Sequence, residues 1–195
     1  TISKSLGGGK NPISAMICDK KIFLKSYGSI NRSNIHTTTF FGLGKSCSTA
    51  IKTLEIISHN KFQNNLNRKI EFVKNKIYQL KINNPNMVKD IKGDGLFIGI
   101  QINLEKFVPF INKKILKKNT INAVIMASIV RFLLDKYKIL THFEKTSPDV
   151  LRFMPSLTIT HKEINYFFNS LDLLLSEDKN KTLINFVLKY IKSIK

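Results

Sequence analysis

Apolar residues recur along this chain with two different periods, and each period predicts an element. Across Gln63–Ile82 the residues Ile70, Val73, Ile77 and Leu80 fall three and four apart, the stripe of an amphipathic helix. Asn83-Asn84-Pro85 ends it, because proline cannot continue a helical ladder. Similar spacing predicts a helix after Gly44 with Ala50, Ile51, Leu54 and Ile57 on one face, and another over Ala123–Lys136. A third places Ile164, Phe167, Phe168, Leu171 and Leu174 on one face, and a closing helix carries Leu183, Phe186, Val187, Tyr190, Ile191 and Ile194. These stripes read as core. Strict alternation marks strands instead: Leu96, Ile98, Ile100 and Ile102 alternate with Phe97, Gly99 and Gln101 behind a Gly93-Asp94-Gly95 turn, predicting a hairpin. Short strands are predicted at Ile139–Thr141 and Val150–Phe153. The apolar run Pro12–Cys18, set between a glycine-rich loop and Asp19-Lys20-Lys21, predicts a buried strand. From Tyr27 to Gly44 there is no period, only Ser, Asn, Thr and Gly, which predicts a loop of the kind that carries binding groups.

Composition changes this picture little. With 195 residues, 43% of them hydrophobic, the chain can bury a substantial core. The 32 Lys+Arg against 13 Asp+Glu give a formal charge of +19, which raises nucleic acid as a partner. The excess is almost all lysine, spread evenly among abundant Asn and Ile, and arginine occurs only at Arg32, Arg68, Arg131 and Arg152. No basic cluster interleaves with aromatics and no helix-turn-helix or finger spacing is present, so a nucleic-acid role is not expected. Cys18 and Cys47 form no disulfide framework, and no apolar run of membrane-spanning length is visible; a cytoplasmic setting without a membrane is expected. Cys18, Cys47, His36 and His59 lack metal-ligand spacing, so no metal is assigned. The chain opens on Thr1 directly at a dense motif, which reads as a fragment.

That motif is Ile2-Ser3-Lys4-Ser5-Leu6-Gly7-Gly8-Gly9, a lone lysine among small residues. It is not a nucleotide-binding P-loop: Gly9-Lys10 is followed by Asn11, and the leading glycine of that pattern falls on Lys4. A second stretch, His36-Thr37-Thr38-Thr39-Phe40-Phe41-Gly42, groups three hydroxyls in one loop, suited to donating hydrogen bonds to an anion. Either alone is also compatible with an ordinary turn or a Thr-rich edge strand. In this order and separation, with Pro12 to Ala15 between them, the two resemble the class III aminotransferases that act on ornithine, acetylornithine, putrescine and 4-aminobutyrate. Two later segments add to the resemblance, Lys92-Gly93-Asp94-Gly95-Leu96-Phe97-Ile98-Gly99-Ile100 and Leu151-Arg152-Phe153-Met154-Pro155-Ser156-Leu157-Thr158-Ile159-Thr160.

The resemblance implies an α/β fold: the end of the large domain of a fold-type I pyridoxal 5'-phosphate (PLP) transferase over residues 1–60, then a small α+β C-terminal domain over 61–195. It implies Lys4 as the Schiff-base lysine and proton carrier. Thr39, with Thr38 as helper, would contact the cofactor phosphate of a partner subunit in a homodimer, and Arg152 would grip a substrate carboxylate. The reaction implied is amino transfer from a diamine, ω-amino acid or amino acid to a 2-oxo acid. The family's phosphate loop, ring-stacking aromatic and pyridine-binding Asp are not in this sequence, so the chain alone is expected to be inactive. Two positions depart from the family: Leu43-Gly44-Lys45 where Asn-Pro is common, and Lys92 where Arg is usual. Two rival readings remain, a PLP-dependent aminomutase or decarboxylase on the same fold, and a non-catalytic basic fragment.

Overall fold

Alternation along β2 (Phe97–Ile102) sets the architecture of the larger part of the molecule. Ile98, Ile100 and Ile102 are buried while Phe97 points to solvent, so one face of the strand seeks a core. In this computed structural model, which describes residues 1–37, 39–107, 118–176 and 185, β2 is the centre of a three-stranded antiparallel sheet. It pairs with β1 (Val88–Asp94) on one side and β3 (Val150–Phe153) on the other. The hairpin turn falls at Gly95-Leu96, one step later than the glycine pattern predicts. Gly93 is still needed at the end of β1: its φ is +101°, and a Cβ there would lie 2.1 Å from the Phe97 carbonyl oxygen.

The apolar faces of β2 and β3 meet α3 (Asn60–Asn83), α4 (Lys118–Tyr137) and α5 (His161–Leu175) in one core. Val73 and Leu80, Ile125 and Ile129, Leu151 and Phe153, and Phe168 and Leu171 are among its members. All five residues predicted for one face of α5 are buried. Thr160 starts that helix with a reciprocal capping box: its hydroxyl accepts from the Glu163 backbone N–H at 3.2 Å, and its own backbone N–H donates to Glu163 Oε2 at 2.8 Å. The Thr160 backbone N–H, then the Thr160 hydroxyl, hold the Glu163 carboxyl below its ordinary range. The box therefore stabilises the folded chain at neutral pH and loses that contribution as the pH falls through the lowered value.

No strand forms at Ile139–Thr141. The segment is irregular; Arg152 takes backbone partners from it, the His142 carbonyl accepting from the Arg152 N–H at 2.9 Å, but the ladder does not extend. Its start explains why: Lys138 adopts φ +57° after α4, and nested bonds from Lys138 N to the Leu134 carbonyl and from Ile139 N to the Leu133 carbonyl turn the chain away from the helix. A left-handed lysine costs about 1–2 kcal/mol that glycine does not. Lys138→Gly is therefore expected to stabilise the chain by about 1 kcal/mol, after allowing for glycine's greater freedom when unfolded, as read by the denaturant midpoint.

The chain divides into two units, Thr1–Asn65 and Leu66–Lys195, with the boundary inside α3. The first contains α1 (Lys20–Tyr27) and α2 (Gly44–Ser58). The buried strand predicted over Pro12–Cys18 is not found. Among the described residues the run's backbone pairs only with Ile2, through two reciprocal 2.8 Å bonds between Ile2 and Ala15, and Met16 and Ile17 are 55% and 75% exposed. One bridge satisfies two backbone groups, too few to hold an apolar strand in a ladder. Helix α1 was not predicted; it is a local structure, capped by the Asp19 carboxylate, which accepts from the Lys21 N–H at 2.7 Å, and laced by a Phe23–Tyr27 ring contact. The closing helix predicted over Leu183–Ile194 lies outside the described residues, apart from residue 185.

Candidate active site

Lys4 opens a single 3₁₀ turn, Lys4–Gly7, with φ +55° and its side chain in solvent. A lysine has no steric reason to choose the left-handed region, and strained non-glycine residues gather at functional sites because the surroundings must hold them there. Here the holding is visible. The turn packs on α2, Gly8 comes so close that a Cβ would lie 2.6 Å from Thr53 Oγ1, and the Asn11 amide donates to Thr49 Oγ1 at 2.7 Å. The Thr53 hydroxyl is itself fixed by donating to the Thr49 carbonyl at 2.8 Å. Gly8→Ala thus meets a positive φ (+60°) and a fixed oxygen together, and is expected to cost roughly 2 kcal/mol or more, seen as a lowered denaturant midpoint.

This contact also corrects the face predicted for α2. Ser46 and Ala50 are buried and Thr53 and Ile57 half-buried, whereas Ile51 and Leu54 are 59% and 44% exposed. The helix turns its small and hydroxyl-bearing residues toward the lysine turn because only small side chains admit a glycine backbone so closely. Asn11, Thr49 and Thr53 are the positioning residues that periodicity missed. The i, i+4 spacing of Thr49 and Thr53, in line with Ser46 and Ala50, was the signal for two of them.

Thr39 lies in the turn before α2 with its side chain exposed, and Gly42, at φ +69°, completes that turn. Thr38 lies outside the described residues. Lys4 and Thr39 thus belong to the first unit, and Arg152 to the second.

Arg152 stands on β3 opposite Gly99. Its guanidinium is ion-paired with Glu144, the two side chains being 29% and 31% exposed. The backbone makes this pairing: Glu144 N–H donates to the Val150 carbonyl at 3.0 Å, and the Thr141 hydroxyl donates to the Arg152 carbonyl at 2.6 Å. Arg152 also lines a cleft of about 1220 Å³ bounded by the segments 138–142 and 152–155 and the start of α5. A planar fork of donors beside a cleft can seat a carboxylate in two bonds. Glu144, eight residues earlier, engages one nitrogen of that fork and was not foreseen from sequence. Among the described residues no group of three His, Cys, Asp or Glu could hold a metal ion, and no helix is long and apolar enough to cross a membrane.

The family described as aminotransferase class-III matches residues 1–175. The chain is 28% identical over 179 residues to the acetylornithine aminotransferase of Caldanaerobacter subterraneus, covering 91% of this chain and 37% of that protein. To the acetylornithine aminotransferase of Methanocaldococcus jannaschii it is 29% identical over 180 residues, covering 92% and 37%. The crystal structure of adenosylmethionine-8-amino-7-oxononanoate aminotransferase from Methanocaldococcus jannaschii superposes with a TM-score of 0.69 at 26% identity, covering 89% of this chain and 37% of that one. A transaminase from Arthrobacter shares the fold, with a TM-score of 0.68 at 18% identity over 93% of this chain and 39% of its own. The chain therefore spans little more than a third of the length of the relatives it matches. With its motifs in family order, its α/β architecture superposing on solved aminotransferases and 175 residues matched, the chain belongs to the class III aminotransferases, PLP-dependent enzymes of fold-type I.

Proposed function

We propose that this chain carries the lysine, one phosphate contact and the carboxylate-binding arginine of a transaminase that moves an amino group from a diamine, ω-amino acid or amino acid to a 2-oxo acid. The observation that carries the reading is Lys4 itself, an exposed amine on a strained backbone that a helix is shaped to hold. The donor set fits PLP: one primary amine for its aldehyde, flanked by Ser3, Ser5 and glycines that leave room, and a hydroxyl-bearing loop for its phosphate. When bound, PLP supplies the conjugated ring that spreads the electron pair left at the substrate Cα. Lys4 would supply the amine that holds the cofactor and would carry the proton taken from the substrate Cα. The Thr39 hydroxyl donates to the phosphate in a neighbouring subunit, which makes the enzyme a homodimer, and Thr38 assists. Arg152 takes the substrate carboxylate. The remaining machinery lies in parts of the fold that the relatives have beyond the matched third, so the isolated chain is inactive. Two unpaired thiols, Cys18 and Cys47, suit a reducing cytoplasm.

The test is the enzyme carrying this chain, purified with PLP. We expect a visible absorption band that borohydride fixes as an adduct on Lys4, and amino transfer that requires a 2-oxo acid acceptor. Turnover without an acceptor, with CO2 release or with migration of the amino group within one molecule, would overturn the transaminase reading in favour of a decarboxylase or mutase. The absence of any adduct on Lys4 would overturn both.

A further inference from the structure

Lys69 sits on the buried side of α3, in line with Val73 and Leu80, and is only 7% exposed. A leucine or methionine would fill this place without stripping water from an ammonium, so the lysine needs a different explanation. Its Nζ donates to the Leu157 carbonyl at 3.0 Å. Leu157 is in the irregular segment between β3 and α5, and residues on both sides of it line the cleft. Arg152, Met154 and Pro155 line it before the bend, and Ile159, Thr160 and Glu163 after it. Within the bend, and among the described residues, Ser156 and Thr158 bond only to each other and to adjacent backbone: their hydroxyls are 2.7 Å apart, and the Ile159 N–H donates to the Ser156 carbonyl at 3.0 Å. These bonds shape the turn without anchoring it. The anchor comes from α3, through Lys69 on Leu157 and through Phe72, whose ring meets that of His161 edge-on at 5.0 Å.

We propose that Lys69 is a positioning residue for carboxylate recognition, its ammonium pinning the Leu157 carbonyl and so fixing the 154–160 bend that walls the cleft beside Arg152. The proposal rests on the transaminase reading above. It separates two kinds of substrate, because a carboxylate must enter beside Arg152 whereas an unsubstituted diamine need not.

The experiment compares Lys69→Met, Lys69→Arg and Arg152→Lys in the holoenzyme, measuring KM for 2-oxoglutarate, KM for a diamine donor, and Tm. Lys69→Met is expected to raise the oxo-acid KM about tenfold, because a wall displaced by even an ångström spoils a two-bond fit, while leaving the diamine KM unchanged and Tm unchanged or higher. Lys69→Arg, which keeps the charge and the donors, is expected to recover most of the oxo-acid KM. A Lys69→Met enzyme with an unaltered oxo-acid KM, or with both KM values raised and Tm lowered together, would overturn the proposal, the second pattern being that of a merely structural lysine. If Lys69→Met fails to fold, Lys69→Gln gives the same comparison, and an unaltered oxo-acid KM there overturns it equally. An oxo-acid KM unmoved by Arg152→Lys overturns the reading of Arg152 and this proposal with it. One raised by Arg152→Lys but unmoved by Lys69→Met overturns this proposal alone.

Discussion

Replacing Lys4 by alanine is expected to lower kcat of the holoenzyme by at least about 10³-fold and to remove the borohydride-fixable adduct, because in the proposed function one amine would both hold the cofactor and move the proton. No neighbour can substitute for it. Lys10, the next amine along the chain, lies beyond the three glycines and outside the strained turn that α2 holds against Gly8 and Asn11. Lys4→Arg should fare no better, since a guanidinium stays protonated and does not form the imine link. The substitution should leave stability nearly unchanged or slightly improved, as an exposed side chain and a left-handed backbone position contribute little to folding. Single-turnover assays and the visible spectrum read the first effect, and the denaturant midpoint reads the second. Residual turnover near that of the parent enzyme would end the assignment of Lys4.

Arg152→Gln is the second large effect, expected to raise KM for a 2-oxo acid by roughly 100-fold, as two charge-assisted hydrogen bonds are each worth about 1.5–3 kcal/mol before competition is counted. Competition matters because Glu144 already engages the guanidinium, so a substrate carboxylate gains only the difference between two similar partners. Arg152→Lys should recover part of the affinity through charge but not the two-pronged geometry. The stability cost of Arg152→Gln should be small: both side chains of the pair are about a third exposed, and the carboxylate of Glu144 can take water in place of its partner. KM for a diamine is the internal control and should stay constant. Equal KM values for the oxo acid before and after substitution would remove Arg152 from the site.

Two of the sequence's structural expectations failed for the same physical reason. The Pro12–Cys18 run has the composition of a buried strand, but a strand is completed by neighbours, and among the described residues only Ile2 pairs with this run. Ile139–Thr141 runs beside β3, yet the left-handed Lys138 and the Thr141 hydroxyl on the Arg152 carbonyl replace ladder bonds with irregular ones. The α2 face was misread differently. Ile51, Leu54, Ile56 and Ile57 surround much of the helix, so periodicity offers no unique stripe, and the glycine turn that packs there selects small residues over large ones.

The amino-acid sequence by itself determined the helices α3, α4 and α5 and the β1–β2 hairpin, since amphipathic periods and turn residues are written within a few positions of one another, while Lys4, Thr39 and Arg152 became candidates through the resemblance of their motifs to those of the class III aminotransferases. Tertiary structure alone decided that the turn carrying Lys4 packs on Thr49 and Thr53 through Asn11 and Gly8, that Glu144 pairs with Arg152, and that Lys69 reaches Leu157. Each of these joins residues separated along the chain by up to 88 positions, and a hydrogen bond or an ion pair depends on a few ångströms in space that no local pattern of residues specifies.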